Sequence, residues 1–202
     1  MKSFYFFRHG ETDWNKKRLC QGQTDIELNQ QGIAQARSLA QFFEKIQLDV
    51  IYSSDLVRAL KTAQFVAQEK TAIITTERLR ETNLGEIEGK HIDQAREIIS
   101  DDVWWSFNRR DQESLKLSFP GGETRKQVLY RFLSLVSEAY QSEFSHIGIS
   151  THGGAMRNFL HFFLPENTEA LKISNCIVYI LEIESLKDLN SYRGKIKGPY
   201  HC

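Results

Sequence analysis

The chain has 202 residues, 41% of them hydrophobic, enough for one domain with its own core and too apolar for a disordered segment. Lys plus Arg and Asp plus Glu each number 26, so the formal net charge is zero; an extended basic face for nucleic acid is not expected, and any positive site must be local. Cys20, Cys176 and Cys202 are odd in number and far apart, which fits a reduced protein better than a disulfide framework. The sequence enters a strand pattern at once, without a signal peptide, and no apolar run approaches membrane-spanning length. The expectation is a cytoplasmic domain with no membrane partner and no feature that sets an oligomeric state.

Residues 4–7, Phe-Tyr-Phe-Phe, read as a buried strand. Residues 33–46 carry apolar positions at helical spacing, from Ile33 through Ala36, Leu39, Ala40 and Phe43 to Ile46. Residues 50–53 are strand-like, and Ser54 or Asp55 is a candidate cap for a helix running to about Gln68. Residues 72–75 form a short β-branched run. Residues 124–140 are an amphipathic helix, 146–150 a strand, 154–163 a helix and 177–183 a final strand. This alternation predicts an α/β fold with a mainly parallel sheet and helices on both faces, in a single domain spanning 1–202. Residues 92–122 break the pattern and predict a small helical insertion over the strand ends, with Trp104 and Trp105 read as its packing. From about residue 185 the chain is polar and is expected to be loosely held.

Chemistry-bearing residues recur just past successive strands. Arg8-His9-Gly10-Glu11 follows the first, Arg58 opens the helix after the second, Glu81 follows the third and His152 the fourth. In a parallel sheet these ends lie on one edge, where ligands bind. Arg presents a donor fork matched to phosphate, and neutral imidazole is a nucleophile near pH 7. Taken singly, each has a bland reading: a surface arginine, a loop carboxylate, a packing histidine. Together they point to phosphate capture and attack on phosphorus. Other phosphate chemistries lack their residues: there is no Gly-rich loop ending in Lys-Ser/Thr, no Cys followed six residues later by Arg, and no Asp-x-Asp pair after a strand. His146, His152 and His161 have no common metal-ligand spacing, so arginine rather than a metal is the expected charge stabiliser.

The ordered set Arg8-His9-Gly10-Glu11-Thr12, Trp14-Asn15, Gln21-Gly22, Asp25, Ser53-Ser54-Asp55-Leu56-x-Arg58-Ala59, Leu79-Arg80-Glu81, Gly85-x-x-Glu88-Gly89, Pro120-Gly121-Gly122-Glu123 and His152-Gly153 resembles the histidine phosphatase superfamily, also called phosphoglycerate-mutase-like, over nearly the whole chain. The resemblance implies an α/β/α sandwich with one antiparallel strand and no metal or organic cofactor. It implies His9 as the phosphate acceptor that becomes phosphohistidine, and Arg8, Arg58 and His152 as the phosphate pocket. It implies Glu81 as the acid for the leaving oxygen, and Asn15, Gln21, Gly22 and the Gly153 N–H as accessory phosphate contacts. Asn83-Leu84-Gly85-Glu86-Ile87-Glu88-Gly89 and the compact insertion look more like the small phosphatases than the longer mutases, although Ile87 stands where many of those phosphatases carry Trp. The expected activity is metal-independent hydrolysis of a small phosphorylated metabolite. The alternatives are a cofactor-dependent phosphoglycerate mutase and a non-catalytic phosphate-binding module. Arg109 and Arg110 are read either as contacts to a second anionic group or as solvated charge.

Overall fold

The computed structural model describes residues 1–106, 111, 113–164, 168–188 and 191–201. Among them are six strands: β1 (Lys2–Arg8), β2 (Val50–Ser54), β3 (Ala72–Thr76), β4 (His146–Thr151), β5 (Val178–Asp188) and β6 (Ser191–Tyr200). They form one sheet in the order β3-β2-β4-β1-β5-β6. The first four in that order run parallel, β5 runs antiparallel to β1, and β6, antiparallel to β5, runs in the direction of the first four.

The alternation of β1 sets the layers. Phe4 and Phe6 face one side, with helices α6 (Arg125–Gln141) and α7 (Gly153–His161). Tyr5 and Phe7 face the other, with α2 (Gln30–Phe43) and α3 (Val57–Ala67). Both faces of the strand are therefore apolar, as a sheet covered by helices on both sides requires. Phe159 of α7 lies 5.3 Å from Phe6 and 5.4 Å from Phe132, ring centre to ring centre. Each such buried aromatic stabilises the sandwich by about 1.5–3 kcal/mol.

Local signals account for most element ends. Asn29 caps α2 by accepting the Gly32 N–H at 2.8 Å, and Thr124 closes a capping box with Gln127 at the start of α6. Helix α3 departs from expectation. Its N-cap is Leu56, without a side-chain bond. The Val57 N–H is taken instead by Asp25 from a distant loop at 2.8 Å, Ser54 Oγ accepts the Leu56 N–H at 3.3 Å, and Asp55 turns away to pair with Arg80.

Short helices α1 (Asp13–Lys16), α4 (Ile92–Ile98) and α5 (Asp101–Trp105) lie outside the two main layers. The insertion is helical in α4, α5 and a 3-10 turn at Ser114–Lys116. It packs through Ala95, Ile99, Val103, Trp104 and Phe119 onto Cys20, Leu84 and Ile87. Buried Arg125 fastens it to the sandwich, donating to the Ser106 carbonyl, to Ser114 Oγ at 2.8 Å and to Asn158 at 3.0 Å. The side chain of Trp105, and Arg109 and Arg110 entirely, lie outside the described residues.

The C-terminal segment corrects the expectation of a loose tail. The final strand continues to Asp188, and Ser191–Tyr200 folds back on it as β6. Ile196 packs against the core, while Lys197 and Lys195 pair with Glu182 at 2.6 and 3.5 Å. The segment is polar because it forms a sheet edge, with lysines on the exposed side.

Candidate active site

The parallel strand ends converge on one edge. Arg8 at the end of β1 is in register with Thr151 of β4, Ser53 of β2 with Ser150, and Ser54 with Thr76 of β3. The residues just beyond these positions meet there. His9, Arg58 and His152 are 2%, 1% and 0% exposed, which is unusual enough for such side chains that each must be accounted for by a partner or a ligand.

His9 places Nδ1 2.7 Å from the Gly10 carbonyl. A carbonyl only accepts, so Nδ1 carries the proton and Nε2 keeps its lone pair. Burial, followed by the charges of Arg58 and Arg8, holds the imidazole well below its ordinary pKa, with the Gly10 carbonyl partly opposing. It is thus neutral at pH 7, as a nucleophile must be. Asn175, just before β5, holds the His9 carbonyl at 3.0 Å and reaches Asn15 Oδ1 at 3.4 Å.

Arg8 gives Nη1 to the Ile173 carbonyl at 2.8 Å, while its buried Nε has no partner among the described residues. A Cβ at Gly153, the first residue of α7, would stand 3.2 Å from that Nε, so the helix start lies directly against the guanidinium. Gln21 accepts through Oε1 from Thr12 at 3.2 Å and from Asn15 Nδ2 at 3.3 Å, leaving its buried Nε2 without a partner among the described residues. An unmade buried hydrogen bond costs about 1–3 kcal/mol. Donors of this kind, beside a second arginine, are what an anion pocket presents.

Arg58 spends its guanidinium on the protein. Nη2 donates to the Gly22 carbonyl at 2.7 Å, Nη1 to the Thr24 carbonyl at 2.8 Å, and Nε to His152 Nδ1 at 3.1 Å. Burial lowers its pKa to about 10, against the opposing pull of Glu81 and Asp25, so it remains a cation at neutral pH. Gly22 is in the left-handed region at φ +48°, and a Cβ there would fall 2.0 Å from Glu88 Oε1. His152 stands at the N-cap of α7, its ring centre 5.1 Å from that of His9. Its Nδ1 accepts from Arg58, so Nε2 carries the proton and donates to Ser54 Oγ at 2.9 Å. Both ring nitrogens are thus engaged within the protein. Burial and the charge of Arg58 keep this ring neutral too.

Glu81 lies at the start of α7. Its carboxylate accepts the N–H groups of Ala155 at 2.6 Å, Thr82 at 2.8 Å and Gly154 at 2.9 Å. Its backbone is held by Arg131, which donates to the carbonyls of Arg78, Arg80 and Glu81 and pairs with Glu123. Glu123 in turn accepts the Asn83 N–H at 2.8 Å, which explains why the Pro120-Gly121-Gly122-Glu123 turn sits against the Glu81 loop. The other carboxylates near the motifs are occupied elsewhere. Glu11 pairs with Asn29, Glu86 is exposed, and Glu88 accepts the N–H groups of Gln23, Thr24 and Leu84.

Of the residues expected from the sequence, His9, Arg8, Arg58, His152, Asn15, Gln21, Gly22 and Gly153 come together in one cluster of contacts, with Glu81 at its side. Glu88, Glu123, Arg131 and Asn175 were not singled out as positioning groups. The signal for Asn175 is topological: β5 is antiparallel, so its start, not its end, lies on the site edge. Among the described residues no three His, Cys, Asp or Glu side chains stand together as metal ligands, and no helix is long and apolar enough to cross a membrane.

Two histidines held neutral by burial have a stability consequence. The unfolded chain binds more protons than the folded one below the ordinary imidazole pKa, so stability is lost as pH falls through that range. Each such histidine contributes about 1.4 kcal/mol per pH unit. The Tm is expected to drop between pH 7.5 and 5.5, and to drop less in His9→Asn, whose amide can still donate to Gly10. Equal drops in both proteins would contradict a neutral, buried His9.

Comparison with known proteins gives the family. The family model of the histidine phosphatase superfamily (branch 1) matches residues 4–189. The phosphoglycerate mutase-like protein 4 of Arabidopsis thaliana is 34% identical over 184 residues, covering 87% of this chain and 77% of that protein. A putative phosphoserine phosphatase 2 of Hydrogenobacter thermophilus is 31% identical, covering 97% of both. Among solved structures, the mycobacterial glucosyl-3-phosphoglycerate phosphatase complexed with VO3 superposes with a TM-score of 0.83 at 29% identity, covering 98% of each chain. From the site and these matches together, the chain is an enzyme belonging to branch 1 of the histidine phosphatase superfamily.

Proposed function

We propose that the chain hydrolyses phosphomonoesters of a small metabolite through a phosphohistidine on His9, without a metal ion. The observation that carries this reading is the state of His9: a neutral ring, pinned through Nδ1, with Nε2 free beside two arginines. The phosphate dianion docks against Arg8 Nε and Gln21 Nε2, with Asn15, Gly22 and the Gly153 N–H around it and the buried Arg58 cation behind. His152 takes part by holding Arg58 and by closing the pocket wall. His9 Nε2 attacks phosphorus as the P–O bond to the alcohol breaks, and the fixed cations meet the charge on the equatorial oxygens. Glu81 delivers a proton to the departing oxygen. Water then attacks the phosphohistidine with Glu81 as base, releasing phosphate and restoring the ring. Cys20 and Cys176, both buried and in no disulfide among the described residues, support a reducing, cytoplasmic setting.

Relatives named as phosphatases support hydrolysis, and a relative named as phosphoglycerate mutase-like keeps isomerisation as the second reading. Incubation with 3-phosphoglycerate and a bisphosphoglycerate primer, in the presence of EDTA, separates them. Phosphate release that survives chelation and exceeds formation of 2-phosphoglycerate is expected. Isomerisation much faster than phosphate release would move the chain to the mutases, and loss of activity restored by a divalent cation would remove the metal-free mechanism. Binding of phosphate without turnover of any ester, p-nitrophenyl phosphate included, would leave a non-catalytic phosphate-binding module.

A further inference from the structure

The loop that carries Glu81 is gripped by its main chain. The carbonyls of residues 78–81 all accept hydrogen bonds from side chains. Thr151 Oγ1 donates to that of Leu79 at 2.8 Å. Arg131 of α6 takes the other three, with Nη1 on Arg78 at 2.8 Å and on Arg80 at 2.6 Å, and Nη2 on Glu81 at 2.9 Å. It then pairs with Glu123, Nε to Oε1 at 3.0 Å and Nη2 to Oε2 at 3.1 Å. All five N–H donors of one guanidinium are spent in this way. Glu123 Oε2 also accepts the Asn83 N–H at 2.8 Å and Gln23 Nε2 at 3.3 Å, and the same Gln23 nitrogen reaches the Glu81 carbonyl at 3.1 Å. The pair thus holds the backbone on both sides of Glu81 and leaves its carboxylate to the N–H groups of Thr82, Gly154 and Ala155. Both side chains are mostly buried, so solvent screens this ion pair less than one on the surface.

We propose that Arg131, with Glu123, is a positioning residue for acid catalysis: it fixes the main chain of residues 78–83 so that the Glu81 carboxyl meets the leaving oxygen. The inference rests on the phosphatase reading above, in which Glu81 is the acid. Residues 77–83 are a 3-10 turn and a loop, with no strand ladder to hold them. A shift of about 1 Å in a reacting group costs up to about 10²-fold in rate. Helix α6 does not depend on this arginine for its seat on the sheet, which Val128, Phe132, Leu135 and Val136 provide. The phosphate donors are held by other groups: Arg8 by the Ile173 carbonyl, Gln21 by Thr12 and Asn15, and the turn around Arg58 by Glu88. Loss of Arg131 therefore displaces the acid and spares phosphate docking. A lysine would keep the charge but not the planar fork that reaches three carbonyls and a carboxylate together.

The test compares kcat/KM on glycerol 3-phosphate, whose alkoxide needs a proton, with kcat/KM on p-nitrophenyl phosphate, whose phenolate hardly does. Arg131→Met is expected to lose about 10–100-fold more on the first ester than on the second. Arg131→Lys should recover part of that difference. Inorganic phosphate, followed by calorimetry, should bind Arg131→Met as it binds the wild type. Combined with Glu81→Gln, Arg131→Met should add no further selective loss, because the acid it positions is already gone. Equal losses on both esters, a further selective loss in the double variant, or weakened phosphate binding that accounts for the lost kcat/KM would overturn the proposal. Should Arg131→Met fail to fold, Arg131→Lys and Glu123→Gln decide: each is expected to show a severalfold selective loss, and none in either counts against it. A selective Glu81→Gln with unselective Arg131 and Glu123 variants rejects the positioning role and keeps the acid. An unselective Glu81→Gln removes the acid itself, and the proposal with it.

Discussion

Replacing His9 with alanine is expected to lower kcat/KM by at least about 10⁴-fold on every ester, because it removes the nucleophile and not a contact shared with the ground state. His9 is the imidazole at the strand ends whose proton position is fixed by a carbonyl and whose other nitrogen has no hydrogen-bond partner among the described residues. His152, its neighbour, has both nitrogens committed to Arg58 and Ser54. The loss should therefore be chemical. The anion donors of Arg8 and Gln21 are untouched, so the variant should still bind phosphate, measurable by calorimetry. In the wild type, rapid quenching during turnover should trap a phosphoenzyme that is acid-labile and alkali-stable. An acid-stable phosphoenzyme would place the phosphoryl group on another residue, and near-wild-type activity in His9→Ala would end the phosphohistidine mechanism outright.

The second large effect belongs to Glu81→Gln. A general acid is worth about 10²–10⁴-fold, and only where the leaving group needs the proton. An alkyl alkoxide needs it; p-nitrophenolate hardly does. The variant should lose that factor in kcat/KM on an alkyl phosphate and far less on p-nitrophenyl phosphate, since kcat/KM covers the first transfer and omits hydrolysis of the phosphohistidine. Some loss on both substrates is expected for a structural reason. The wild-type carboxylate accepts from Thr82, Gly154 and Ala155, and an amide nitrogen cannot accept in place of the second oxygen. The selective part is the measure of acid catalysis. Equal losses would make Glu81 only a clasp on the start of α7. Glu88→Gln should be unselective, because Glu88 acts by fixing residues 23 and 24, in the turn whose Gly22 and Thr24 carbonyls hold Arg58.

Much of this was legible in the chain itself. The run Phe4, Tyr5, Phe6, Phe7 is apolar on both faces, and that alone demands helices on both sides of β1. Parallel connections then bring the residues after each strand to one edge, so Arg8, His9, Arg58, Glu81 and His152 meet by topology. What only the tertiary structure decided are the partners between distant segments. Position after the third strand singles out Glu81 among four nearby glutamates, but not what each is bonded to: Glu81 is clasped by α7, and Glu88 is tied to residues 23, 24 and 84. Arg131 reads as a polar residue of an amphipathic helix until its fork is seen on three carbonyls of the Glu81 loop. The C-terminal segment is polar enough to pass for a tail, and becomes β6 because the edge of β5 offers unpaired backbone groups and Glu182 offers charge to Lys195 and Lys197. Strand, helix and glycine turn follow from neighbours in sequence. Which carboxylate the start of α7 clasps, which nitrogen is spent and which edge is covered depend on groups brought together from far along the chain, and those interactions exist only once the sheet has formed.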